Sequence, residues 1–249
     1  MNLKRFFQRI SSIAIAGTMM LGLLPSNAFA AGEYNWVWMG DSNDQTSAAE
    51  SVTLEAGEGT ITWDPASATV TLDNATVSGY IGVEPVDEDI TVTVVLKGEN
   101  QLTTTADGSG IYSTANLLVQ ADPDASITIA PGEGYSINAF YSPKDVTISG
   151  GSYTLSSNSY AAIFAGGDLV ITGSANVNST SNDAAVFTQP NLTIESSAVV
   201  DANSLSNAAA IYSLGELTIR DGAEVTAASQ SGIAVLSNGT ATVTDSKVT

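Results

Sequence analysis

Apolar residues along most of this chain come in short beats rather than in long runs or helical stripes. One stretch gives Ile163, then Leu169 with Ile171, then Val177. The next gives Val186, Leu192 with Ile194, and Val200, and a third gives Ile211, Leu217 with Ile219, and Val225. Within a beat, apolar and polar positions alternate, and Gly, Asn, Asp, Ser and Pro crowd the gaps. That is the signature of short strands separated by turns. No apolar stripe of period 3.6 runs through residues 31–249, so helices are not expected there.

The beats belong to a larger repeat. A small–apolar–aromatic–small unit begins at Gly110-Ile111-Tyr112-Ser113 and returns at Ala139-Phe140-Tyr141-Ser142, Ala162-Ile163-Phe164-Ala165, Ala185-Val186-Phe187-Thr188 and Ala210-Ile211-Tyr212-Ser213. A weaker copy is placed at Gly232-Ile233-Ala234-Val235, and a looser early one near Ile81. Three short strands in each repeat predict stacked coils, because a single coil cannot bury its apolar side alone. The predicted fold is all-β: a right-handed parallel β-helix, a solenoid with three short strands per coil, closed by an N-terminal cap. A propeller would want longer, four-stranded repeats.

The predicted boundaries are residues 1–30 as a signal peptide, 31–59 as the capping segment and 60–249 as the repeats. Residues 1–30 carry Lys4, Arg5 and Arg9, an apolar run from Ile13 to Leu24, and Ala28-Phe29-Ala30. This is the layout of a cleaved secretory signal, and it predicts a secreted or cell-surface protein. The cap is marked by Trp36 and Trp38, two of the three tryptophans. At the other end, "ATVTDSKVT" matches the start of one more coil. An open last coil is an edge-pairing hazard. The expectations are end-to-end self-association there, or a chain that is a fragment of something longer.

Composition narrows the chemistry. The formal charge is −19 from 7 basic and 26 acidic residues. Beyond residue 30 the only basic residues are Lys97, Lys144, Arg220 and Lys247, and all the acidic ones remain. Nucleic acid is excluded as a partner, since binding it needs Lys and Arg against phosphate. No segment after residue 30 predicts membrane insertion. There is no cysteine and no histidine. Disulfides are therefore absent, as are the commonest general base and the commonest metal ligand.

At this point the runs "WDPASATVTLDNATVSG" and "DITVTVVLKGENQLT", followed by repeated "GIYS…LTI…G" units, resemble secreted right-handed parallel β-helix proteins of Gram-positive bacteria. These are similar to the pectate-lyase-like superfamily, and some non-catalytic members are carbohydrate-binding. The resemblance runs from about Trp63 to the end. It implies a polysaccharide ligand, and for the enzymes of that superfamily a basic residue beside a carboxylate, often with calcium, or grouped aspartates.

Those enzymatic groups are thin here. Arg220 sits in a variable slot where sister coils carry Ser149, Thr172 and Glu195, so no catalytic residue is assigned. Asp122 and Asp124 fall in a predicted turn. Asp87, Glu88 and Asp89 form a dense acidic cluster, the candidate site for calcium, which takes several oxygen ligands. Their other reading is solvated turn carboxylates. A column of Asn116, Asp145, Asp168, Asn191 and Glu216 precedes the second strand of successive coils; it reads as a turn-stabilising ladder or as a metal column. The candidate carbohydrate-binding residues are Tyr112, Tyr141, Phe164, Phe187 and Tyr212. Period two turns these rings outward if the preceding apolar residue points inward, giving either a sugar platform or a structural stack.

Three functions remain open: a non-catalytic polysaccharide-binding protein, a structural or adhesive stalk module of a larger surface protein, and a polysaccharide lyase or hydrolase with a degenerate site.

Overall fold

Alternation inside each beat becomes alternation of burial. In the strand Ile163–Ala165 the ends are buried and Phe164 is half-buried; Leu169–Thr172 and Asn176–Ser181 follow the same rhythm. Ile163, Leu169, Ile171 and Val177 are all fully buried, each contributing about 1.5–3 kcal/mol relative to exposure. The computed structural model describes residues 33–40, 45–46, 49–158 and 160–249. The signal-peptide assignment for residues 1–30 lies outside them. Among the described residues there is no helix, and none long and apolar enough to cross a membrane.

The chain opens with β1 (Tyr34–Gly40), β2 (Gln45–Thr46), β3 (Val52–Ala56), β4 (Gly59–Asp64) and β5 (Thr69–Asp73). Then come β6 (Thr76–Ser78), β7 (Tyr80–Pro85), β8 (Thr91–Lys97) and β9 (Glu99–Thr104). β1 pairs antiparallel with both β2 and β7, and β3, β4 and β5 form an antiparallel meander. From β5 onward the pairing is parallel: β5 with β8, and β6 with β9. Trp63 on β4 is fully buried, with the Tyr34 ring edge-on at 4.9 Å.

The remaining strands continue three parallel ladders, a parallel β-solenoid of about 7 turns. The first sheet runs from β7 through Gly108–Ser113, Ile137–Ser142, Ile163–Ala165, Val186–Thr188 and Ile211–Ser213 to Val235–Ser237. The second runs from β8 through Asn116–Ala121, Val146–Ser149, Leu169–Thr172, Leu192–Ile194 and Leu217–Ile219 to Ala241–Val243. The third runs from β9 through Ser126–Pro131, Ser152–Ser157, Asn176–Ser181, Val199–Ser204 and Glu224–Ser229 to Lys247–Val248.

One register differs from the expected one. Ile211 pairs with Val235, and Tyr212 with Leu236. The last copy therefore starts two residues later than its sequence pattern indicated, and Ile233 is exposed outside the strand. The small–apolar pattern at Gly232-Ile233 imitates the repeat, but ladder pairing with the coil below decides the register. The inward positions of this coil are only partly covered, and Val243 and Val248 are exposed.

Candidate functional site

The five predicted rings do share one column. Tyr112 pairs with Tyr141, Tyr141 with Phe164, Phe164 with Phe187, and Phe187 with Tyr212. All five are half-buried. Their orientation matters more than their exposure. Ring centroids of Tyr112 and Tyr141 are 5.7 Å apart and their planes 24° apart; for Tyr141 and Phe164 the values are 4.9 Å and 14°. Phe164 and Phe187 follow at 5.3 Å and 30°, and Tyr212 closes edge-on at 5.4 Å and 68°. From Tyr112 to Phe164 the ring faces turn toward one another, and the stacking loosens toward Phe187 and Tyr212. Such pairs add about 0.5–1.5 kcal/mol each beyond area burial. The contacts of the rings with one another give the column a part in holding successive coils together.

The stack extends further than its repeat. At the position equivalent to Tyr112, β7 carries Gly82. The Trp36 indole, from β1, fills that place and stacks on Tyr112 at 5.8 Å and 14°. A Cβ at Gly82 would lie 2.6 Å from the indole, so only glycine leaves this room. Beside it, Trp38 stacks on Tyr80 at 5.2 Å. Burial pushes the Tyr80 hydroxyl up to about 12. Tyr112 is raised further, first by burial and then by the charge of Glu84; burial also raises Tyr141. β1 thus supplies the rung that Gly82 leaves out. Residue order alone could not disclose this, because Trp36 lies far outside the repeat register.

The Asn/Asp column is a backbone ladder. Asn116 Oδ1 accepts the Asp145 N–H at 3.3 Å, and Asp145 Oδ1 accepts the Asp168 N–H at 2.8 Å. Asp168 Oδ1 accepts from the N–H and Nδ2 of Asn191, at 3.2 and 3.0 Å. Asn191 Oδ1 accepts the Glu216 N–H at 2.9 Å. Each side chain satisfies a corner amide one coil further on, a group that the short strands leave unpaired. The fit is close: a Cβ at Gly167 would stand 2.1 Å from Asp145 Oδ1 and 2.7 Å from its backbone nitrogen.

Asp87, Glu88 and Asp89 are exposed. Asp87 Oδ1 accepts the Asp89 N–H at 3.0 Å, an ordinary turn contact. The Lys144 ammonium lies 3.6 Å from Glu88 and 3.9 Å from Asp89, so a protein cation already faces this cluster. Among the described residues, no group of three or more acidic residues is arranged to hold a metal. Arg220 Nε and Nη2 both donate to Glu195 Oε2 one coil away, and Asp221 lies 3.5 Å off. That hydrogen bond raises the Arg220 pKa, the wrong direction for a group that would take a proton. Asp122 and Asp124 are exposed in their turn.

A different face carries the polar groups left open. On the third sheet, Thr76, Gln101, Thr128, Thr154, Asn178, Asp201 and Thr226 form one outward column in continuous register. All are exposed except the half-buried Asp201. Glu99, Ser126, Ser152, Asn176, Val199 and Glu224 run beside them. The signal for this face was present in the repeat, at the polar positions of the third beat. Reading the repeat by its apolar residues passes over them.

Compared with models of protein families, with curated proteins and with solved structures, the chain finds no match.

Proposed function

We propose that this chain is a secreted or cell-surface, non-catalytic solenoid that binds polysaccharide. The observation that supports it best is the third-sheet face, a continuous strip of exposed hydroxyl and amide side chains across successive coils. Small-molecule sites are concave and mostly apolar, so an exposed polar strip suits an extended polymer better than a small ligand. The layout of residues 1–30 carries the secretion part of the reading. The resemblance to carbohydrate-binding β-helix proteins of Gram-positive bacteria agrees with it. A lyase or hydrolase role fits poorly, because Arg220 is held by Glu195 and there is no histidine.

The second reading is a structural or adhesive stalk module. It is favoured by the ring stack and the Asn/Asp ladder, both of which engage side chains with the scaffold itself. Depletion assays with the purified chain against insoluble and acidic polysaccharides, with and without calcium, separate the two. Retention on at least one polysaccharide is expected; retention on none leaves the stalk reading standing alone.

A further inference from the structure

We infer that the ligand face is the outward side of the third sheet, and that it takes a neutral polysaccharide chain running along the solenoid axis, about one sugar ring per coil. This rests on the polysaccharide-binding reading above and names its site and ligand class.

The three outward faces are not equivalent. On the first sheet the repeat strands carry a single outward ring each in Ile163–Ala165, Val186–Thr188 and Ile211–Ser213, and those rings stack on one another. On the second sheet the outward side chains are mostly half-buried, and Thr172, Glu195 and Arg220 are linked across coils. The third sheet has six-residue strands and therefore presents three outward positions per coil. Its central column makes few internal contacts. Among the described residues, the side chains of Gln101, Thr128, Thr154, Asn178 and Thr226 have no hydrogen-bond partner, and only Asp201 is engaged, by Asn203 at 2.8 Å.

The chemistry of this column selects its ligand. Gln101 and Asn178 each offer an acceptor oxygen and a two-hydrogen donor, and the threonines offer both functions in one group. Neighbouring hydroxyls on a sugar ring are donors and acceptors in the same mixture. Parallel strands lie about 4.8 Å apart, close to the length a pyranose ring occupies along an extended chain. Charge excludes the acidic alternatives. Glu99, Asp201 and Glu224 lie on the face, Lys247 is the sole base in register with it, and the whole chain is at −19. A polyanion would be repelled, while a neutral polymer is not. Two open concavities border this face, one lined by Thr76, Glu99, Gln101 and Thr128, the other by Asn203, Leu205 and Gln230.

The test is a binding series on the full chain with microcrystalline cellulose, a soluble neutral β-glucan, a galactomannan and polygalacturonate. Three proteins are compared: the parent, the triple variant Gln101→Ala/Thr154→Ala/Asn178→Ala, and Tyr141→Leu. Circular dichroism confirms folding, and single variants replace the triple one if it unfolds. The expected result is retention on at least one neutral polymer, loss of about tenfold or more in affinity for the triple variant, and little change for Tyr141→Leu. Undiminished binding by the triple variant overturns this face and leaves the polysaccharide reading intact. Retention of the parent on polygalacturonate alone overturns the neutral ligand class. Retention on nothing overturns the polysaccharide reading itself, and this inference with it.

Discussion

The ring column of the first sheet and the polar column of the third climb the same coils at the same spacing, yet their side chains are engaged very differently. From Tyr112 to Phe164, successive rings in the first column stack face to face, Phe187 follows tilted by 30°, and Trp36 of β1 extends the stack at its other end. In the second, Thr128, Thr154 and Asn178 stand exposed without internal partners among the described residues. Repetition at a fixed register therefore has two uses. Aromatic neighbours stabilise one another, whereas the short polar neighbours of the third sheet are not hydrogen-bonded to each other and, in the reading proposed above, serve a ligand. The more conspicuous column in the sequence is the one whose side chains contact one another.

The largest loss of stability is expected at the corner that follows the ring-bearing strand Ile163–Ala165. Gly167→Val places a side chain against the Asp145 carboxylate and backbone. It should destabilise the protein by about 3 kcal/mol, read as a lower urea midpoint. Trp36→Ala empties the slot above Gly82 and should cost about 2 kcal/mol, with faster amide exchange in β1 as the local marker. Asp145→Ala removes the acceptor for the Asp168 N–H and should cost about 1 kcal/mol. Asp145→Asn retains a side-chain oxygen and should restore most of it, which a metal-binding carboxylate would not allow.

Alkaline pH sharpens the same side. Tyr80 holds its proton more tightly folded than unfolded, with a value near 12 against an ordinary 10. Between those values the unfolded chain has released the proton and the folded one has not. Stability is therefore full below about pH 10 and falls as pH rises toward 12. Melting temperatures across that range should decline, and Tyr80→Phe should flatten part of the slope.

Much of the fold was legible because each inward beat obeys one rule. Ile163, Leu169, Ile171 and Val177 had to point the same way, and a stack of coils is the arrangement that buries them all. The Asn116–Glu216 column was legible as a ladder because short amide and carboxylate side chains at a corner bond to nearby backbone. Ring orientation was not legible: period two places Phe164 outside, but which way its face turns depends on side-chain torsions and on Tyr141 and Phe187. Nor was the partnership of Trp36 with Gly82, since an absent side chain gives no pattern. Ile233 misled for the opposite reason, by imitating a rung that Val235 occupies.

The central claim is that the ring column supports the fold and the third-sheet column does not. Parallel urea unfolding of Phe164→Ala and Asn178→Ala tests it most directly. The account predicts a loss of about 2–3 kcal/mol for Phe164→Ala and less than about 0.5 kcal/mol for Asn178→Ala. Equal losses, or a larger one for Asn178→Ala, would contradict it.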